Sequence, residues 1–242
     1  MDPPRGSQWK VNAPEWHPPP PAPPPAPVDP FLPNTALDMG YKSFLAPFAE
    51  SAVAIDCEMV GVRPGDTSAL AHVAICDFNG NQIYNKYVIP RGGIESITNY
   101  RTPYSGIVKD VTLVPFIGKP ENSFDVVQQE VHHILNGRVI VGHGLDSDFT
   151  ALEYIPFPFL VWDSTKIPKY LRPPTREGAL PQARRLKELA SMIGNSIQRN
   201  EVNAAGRPRG HSPLEDARAA MNLFRTYLGE YKVDYSGRNM RH

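Results

Sequence analysis

The sequence predicts an α/β domain built on a mixed five-stranded sheet flanked by helices, and three observations lead there. Three strand-like segments follow one another at short spacing between about residues 52 and 89. Beyond them, apolar runs of helical period alternate with two further short apolar strands. At 242 residues the chain is long enough for one substantial domain with its own core. Meandering strands followed by alternating helices and strands place antiparallel and parallel pairs in one sheet.

Taken in order, AVAIDC (52–57), ALAHVAICDF (69–78) and QIYNKYVI (82–89) are rich in β-branched and aromatic residues and read as strands. Asn79-Gly80 between the last two is a two-residue hairpin signal, which makes that pair antiparallel. Ser123 is placed to cap a helix with Phe124, Val127, Val131 and Leu135 on one face, ending before Gly137. RVIVG (138–142) is a short strand, and the helix after it runs from about Asp146 to Tyr154, stopped by Pro156. FLVWD (159–163) is the fifth strand. Residues 180–194 read as a helix with Leu186, Leu189 and Ile193 on one face, and a last helix runs from Pro213 to about Tyr227.

Composition bounds the function classes. Two cysteines, Cys57 and Cys76, exclude a disulfide scaffold and a Cys-rich zinc module. No apolar run approaches the roughly 18 residues needed to cross a bilayer, so no membrane partner is expected. MDPPRGSQWK has no apolar h-region of a secretory signal. Residues 1–33 hold 13 of the 27 prolines, including HPPPPAPPPAP over 17–27. Proline fixes φ and removes backbone donors, so residues 1–35 are expected to form a solvated, polyproline II-like tail. Residues 36–50 then form a lead-in, 51–229 the folded domain and 230–242 a C-terminal tail. The 17–27 run suits a proline-binding partner domain or a plain spacer, and composition names neither.

Lys and Arg total 25 against 25 Asp and Glu, a net charge of zero that hides an asymmetry. Residues 36–165 hold 8 basic and 15 acidic residues, whereas 166–242 hold 15 basic and 7 acidic. Lys166 to Lys187 carries seven basic residues and one acid, Glu177. Such a segment suits a nucleic-acid backbone, with Tyr170 available to stack on a base, or is simply a solvated face.

Carboxylates stand where a core face should be apolar. In AVAIDCEMV the period of two puts Val53, Ile55 and Cys57 on one face, with Asp56 and Glu58 on the other, about 6–7 Å apart at Cα. Two such groups converge on one cation, or the strand emerges into solvent there. Asp148 in GHGLDSDFTAL lies at the edge of an inward stripe of Leu145, Phe149 and Leu152, unless it is only a first-turn acid. Its neighbour Asp146 fits an N-cap or solvated acid. HSPLEDARAAMNLF contains a capping box, Ser212 with Glu215, and Pro213 at the first helical position. His211 and Asp216 then occupy the facing positions of a hydrophobic staple. A surface pair of little energetic weight is the alternative. Leu214, Ala217, Met221, Phe224 and Leu228 supply the stripe that anchors this helix.

Together Asp56, Glu58, Asp148, His211 and Asp216 read D-x-E, then D, then H-x4-D. AVAIDCEMVG, YRTPYSGI, VGHGLDSDF and GHSPLEDARAAM resemble the motifs of the DEDDh 3′→5′ exonucleases, nearest to the RNA exonuclease 4 and interferon-stimulated exonuclease branch. The resemblance covers about residues 50–229. It implies a ribonuclease H-like fold and a two-metal hydrolysis of RNA, or of single-stranded DNA, that releases nucleoside 5′-monophosphates. Hard cations such as Mg²⁺ or Mn²⁺ take oxygen ligands, which suits carboxylates. The resemblance implies that Asp56, Glu58 and Asp216 hold one ion, that Asp148 serves a second, and that His211 is the general base. The motif from Thr98 to Ile107 lies in a long loop after the third strand; the resemblance places Met59 and Arg101 near the terminal sugar and phosphate and makes Ser105 a further substrate-binding candidate. Arg101 in a structural ion pair is the alternative. His143, after the fourth strand, is expected to make a structural hydrogen bond or to meet substrate. The family implies an intracellular, nuclear or nucleolar location. A catalytically idle nucleic-acid-binding module, or a scaffold recruited through the tail, is the competing reading.

Overall fold

The structure, a computed structural model, describes residues 35–176, 178–198, 210–229, 232–233 and 239–240. The proline-rich run and most of the expected C-terminal tail lie outside these residues, as does a portion of the basic stretch.

Helix α1 (Thr35–Leu45) and a 3-10 turn (Ala46–Ser51) lead into strand β1 (Val53–Val62). Strands β2 (Thr67–Asp77) and β3 (Gln82–Tyr87) follow, then a short β4 (Ile97–Asn99) and a one-turn helix α2 (Thr102–Ser105). The second half runs α3 (Phe124–Leu135), β5 (Ile140–Gly142), α4 (Asp146–Leu152) and β6 (Val161–Asp163). After a two-residue ladder of β7 (Leu171–Arg172) with β8 (Gln182–Ala183) come α5 (Leu186–Met192) and α6 (Pro213–Leu228).

The main sheet has the order β3-β2-β1-β5-β6, with β4 added to β1 as a sixth strand. β1 pairs antiparallel with β2 and β4 and parallel with β5, and β5 pairs parallel with β6. The five expected strands are thus all present in a mixed sheet.

Several local expectations need correction. The β2–β3 connection spans four residues rather than two, because Asp77 turns its carboxylate inward to accept from Asn79 N and Asn81 N at 2.9 and 2.8 Å. Gly80, at φ 82°, supplies the left-handed residue of that turn. The lead-in contains a helix whose Leu45 is fully buried. Residues 180–185 are not helical: Gln182 and Ala183 pair with the Leu171–Arg172 strand, and α5 starts only at Leu186. Ser123 precedes α3 but donates its hydroxyl to Pro120 O instead of capping.

Helices cover both faces of the sheet. On one side α3 and α4 bury Phe124, Val127, Val131 and Leu152 against Val53 and Ile55. On the other, α5 and α6 bury Leu189, Met221 and Phe224 against Ala54 and Trp162. The alternation of β1 read from the sequence divides its side chains between these two cores. Trp162 on β6 is fully buried, with ring centroids 5.3 Å from Phe224 and 5.6 Å from Tyr227. Tyr170, expected to be available to a base, is instead buried 5.9 Å from Trp162, with its hydroxyl donating to Leu223 O at 3.1 Å. Trp162→Ala is expected to cost about 3–5 kcal/mol in denaturant unfolding, since no neighbour can refill the space.

Candidate active site

The gap that forms the site is set by strand lengths. Along one edge, β1 meets β5 only at Val53 and Ala54, and meets β4 only at Gly61 and Val62. Between those contacts, Asp56, Cys57 and Glu58 face a cleft of about 280 Å³, lined also by His143, His211 and Asp216. A β-bulge between Glu58 and Met59 breaks the register with β2 at this point. Bulges bend a strand and re-aim its side chains. Glu58 is thereby buried in the cleft, while Met59 is partly buried against the α3–α4 core.

Asp148 is buried on α4, which follows β5 after a tight turn, close enough for its charge to act on Asp56 and Glu58. Asp163 at the end of β6 builds that turn. Its buried carboxylate accepts from Gly144 N, Leu145 N and Thr165 N, each at 2.9 Å, and from the Thr165 hydroxyl at 2.7 Å. The two bonds to Gly144 N and Leu145 N fix the start of α4, and with it Asp148, while the two to Thr165 hold the Asp163 carboxylate in place. Asp146, at the first position of α4, is exposed and pairs with Lys166 at 2.7 Å. Sequence reading missed the role of Asp163, whose only visible signal is an acid closing an apolar strand.

α6 brings the last carboxylate. Ser212 Oγ accepts from Glu215 N at 3.4 Å, so the cap forms, but the Glu215 carboxylate accepts from Gln198 N at 3.1 Å. The same Gln198 donates its side-chain amide to Asp216 Oδ2 at 2.8 Å. Gln198, not singled out from the sequence, thus orients Asp216 from the segment after α5. As the staple geometry requires, His211 Nδ1 lies 3.6 Å from Asp216 Oδ2.

The lead into α6 is clamped by the 100–107 segment. His211 N donates to Tyr104 O at 2.8 Å, and the Tyr104 ring stands edge-on to the imidazole at 6.4 Å. Gly210 presses on Gly106 so closely that a Cβ at 210 would sit 2.2 Å from the Gly106 Cα. Glycine is required there by backbone contact.

The sequence-derived residues therefore divide. Asp56, Glu58, His143, His211 and Asp216 line one cleft, and the charges of Asp148 and Asp56 act on one another. A ligand atom from each of Glu58, His211 and Asp216 lies within 4.8 Å of the other two. His143 Nδ1 and Ser164 Oγ are 2.7 Å apart, so one ring nitrogen is spoken for while the ring lines the cleft. Arg101 is outside the cleft lining: its guanidinium donates to Ser68 Oγ at 2.7 Å and Asp66 O at 3.0 Å, with Asp66 Oδ2 at 3.6 Å. Ser105 is buried, donating to Tyr100 O and accepting from Ile107 N, which uses it to shape the loop.

Electrostatics distinguish the cleft. Burial, then the charges of Asp148, Asp216 and Glu58, holds Asp56 well above the usual carboxylate range. Burial and the charges of Asp216 and Asp148 push Glu58 up to about 8. Burial also pushes Asp148 to about 7, against the Cys57 thiol and backbone N–H that pull it down, and Asp216 to about 6, against the Gln198 amide. Burial lowers His211 and His143, against the charges of Glu215 and Asp163 respectively, which disfavours the imidazolium form of each. Among the described residues no Lys or Arg pairs with any of the four carboxylates. Asp148 Oδ1 and Asp216 Oδ1 are buried without a hydrogen-bond partner. Unpartnered buried carboxylate oxygens, beside ligand atoms of Glu58, His211 and Asp216 that lie within 4.8 Å of one another, suit a hard divalent cation, so the residues fit such an ion.

Two outcomes follow from this geometry. Gly210→Ala must force two backbones apart and is expected to cost about 1–3 kcal/mol by denaturant unfolding; an unchanged midpoint would show that the clamp is loose. Carboxyls that titrate higher in the fold than in the unfolded chain leave the native state holding more protons above about pH 4, so stability falls as pH rises. In chelator, melting temperature should drop between about pH 5 and pH 8, and Mg²⁺ or Mn²⁺ should restore it most at pH 8. A pH-independent, metal-independent melt would contradict the charge assignment.

No family model matches the chain. It is 38% identical over 187 residues to RNA exonuclease 4 of Gibberella zeae, covering 77% of this chain and 52% of that protein. It is likewise 38% identical over 182 residues to human apoptosis-enhancing nuclease, covering 74% and 50%. The chain thus spans about half the length of these curated relatives. Among solved structures, the Saccharomyces cerevisiae Pan2 pseudoubiquitin hydrolase-RNA exonuclease module in complex with A7 RNA superposes with a TM-score of 0.54 at 25% identity, over 74% of this chain and 28% of that one. The mixed sheet, the D-x-E strand and the H-x4-D helix start agree with these likenesses, and the chain belongs to the DEDDh exonuclease family.

Proposed function

We propose that residues 51–229 form a metal-dependent 3′→5′ exonuclease that hydrolyses RNA to nucleoside 5′-monophosphates. The observation that carries this reading is that Asp56, Glu58 and Asp216 line one cleft beside His211, with the charge of Asp148 acting on Asp56 and Glu58 and with buried oxygens of Asp148 and Asp216 left unpartnered. A binding module would have no use for four mutually repelling carboxylates, which weaken attraction for a phosphate backbone. The likeness to relatives named as exonucleases, and to a module captured with A7 RNA, supports the same reading.

Asp56, Glu58 and Asp216 would hold one divalent cation, with Asp148 serving a second beside Asp56. When bound, such ions screen charge on the phosphate and acidify water. The chain's own residues supply the rest. His211 turns Nδ1 to Asp216, which leaves Nε2 as the nitrogen that takes a proton from the attacking water. Water oxygen bonds to phosphorus as the bond to the 3′-oxygen of the preceding nucleotide breaks, freeing the terminal nucleotide with its 5′-phosphate. At about 280 Å³ the cleft is at the small end of ligand sites, which suits one terminal nucleotide rather than a duplex. Gln198, Asp163 and the Gly106–Gly210 contact hold these groups in register.

Labelled RNA and DNA of one sequence, incubated with Mg²⁺ and then with EDTA, test the reading through product length and identity. His211→Ala is expected to lower kcat about 10²–10⁴-fold while keeping the metal-induced rise in melting temperature. Loss of that rise would make His211 a ligand, as its distance from Glu58 and Asp216 permits. Asp56→Ala is expected to lose both. Retention of RNA without product in Mg²⁺ would instead support the binding module.

A further inference from the structure

The cleft continues beyond the carboxylates. Arg185 lines it, and the same Arg185 lines a second groove of about 560 Å³ together with Arg172, Lys187, Ser191 and Met192. Arg185 is thus common to both depressions, and Glu188 is the one acid of the second.

Arg185 does not serve the fold in the ways its neighbours do. It occupies the residue before α5, where it makes no capping bond. A guanidinium has donors only, so it cannot accept from the free N–H groups there, as Ser, Thr, Asp or Asn would. The residue is exposed, and although its carbonyl accepts from Glu188 N and Leu189 N, its guanidinium has no hydrogen-bond or ion-pair partner among the described residues. By contrast, Arg172 and Arg184 both bond Glu188, and Lys187 donates to Gln198 O at 2.7 Å while keeping an exposed ammonium. A residue that breaks a local preference with no structural return marks a functional position.

A competing exit lies on the far side of β1, in a cleft of about 230 Å³ that includes Arg63 and Arg91. Its cations are already engaged: Arg91 with Asp125 and Glu153, and Arg63 with Glu95 O. The free guanidinium is on the α5 side. Met192, 58% exposed in the groove, offers apolar surface to a sugar or base edge.

We propose that Arg185 binds the backbone phosphate on the 5′ side of the scissile bond and turns the RNA strand into the groove of Lys187 and Met192. The proposal rests on the nuclease reading for which phosphate is scissile. A planar guanidinium donates to two oxygens of one phosphate, which gives the strand a fixed direction at the cleft mouth.

Arg185→Ser tests this with two substrates and one binding measurement. Uridine 5′-monophosphate p-nitrophenyl ester has a single phosphodiester, whereas a single-stranded RNA hexamer has phosphates 5′ of the scissile one. The ratio of hexamer to ester kcat/KM is expected to fall about tenfold, with partial rescue by Arg185→Lys. Hexamer affinity by fluorescence anisotropy in Ca²⁺ should weaken about five- to tenfold, and its dependence on log salt should flatten by about 0.7, one phosphate contact of a single strand. Melting temperature should hold or rise, because serine can cap α5. An unchanged ratio and salt slope, or a lower melting temperature that accounts for the loss, would overturn the proposal. Wild-type protein that binds the hexamer through Arg185 yet releases no product would overturn the nuclease reading instead.

Discussion

Repulsion among four carboxylates at an unpaired stretch of strand edge is the constraint around which this fold is arranged. Asp56 and Glu58 face the gap left because β5 and β4 stop short of the middle of β1. Asp148 and Asp216 enter it from helices on the two faces of the sheet. Bringing these groups out of water disfavours their charged forms, and crowding them disfavours those forms further. Such an arrangement survives only on rigid supports. Here the supports are two apolar cores, the four hydrogen bonds of Asp163 and the amide of Gln198. The proton load that these carboxylates hold in the absence of a cation is the energetic trace of a site built for one.

Much of this was legible in the sequence because it depends on local period. Alternation in β1 separates Val53, Ile55 and Cys57 from Asp56 and Glu58; the structure buries the first set in the α3–α4 core and puts Asp56 and Glu58 in the cleft, which Cys57 also borders. The capping box at Ser212 places His211 opposite Asp216 from sequence alone, since staple geometry is set within one turn of helix. What was not legible depends on contacts distant in the chain. The bulge at Glu58 arises from pairing with β2, and Asp163 acts on a turn some twenty residues away. Gln198 reaches Asp216 from an irregular segment with no periodic signal. Tyr170 looked free among basic residues and is buried, because α6 and Trp162 close over it. Arg101, which the resemblance puts beside the terminal phosphate, bonds Ser68 and Asp66, contacts between residues more than thirty apart that no local pattern in the sequence marks.

The zero net charge is a sum of two unlike regions. The acidic one contributes three of the four cleft carboxylates, and the basic one contributes Asp216, His211 and the cations around α5. Within the basic region charge alone does not mark a binding surface, since Glu188 engages Arg172 and Arg184. Arg185 differs because it is unpaired and sits where the cleft opens. That juxtaposition, positive at the mouth and negative at the floor, draws a polyanion toward the site while leaving the floor to divalent cations.

The central claim is that divalent cations replace protons on the four carboxylates. Calorimetric titration of the apo protein with Mn²⁺, in buffers of different ionisation enthalpy, counts protons released per ion bound. At pH 7 the expected result is net release of about one proton or more, declining as pH rises. Binding at pH 7 with no proton release, or no binding at all, would contradict it.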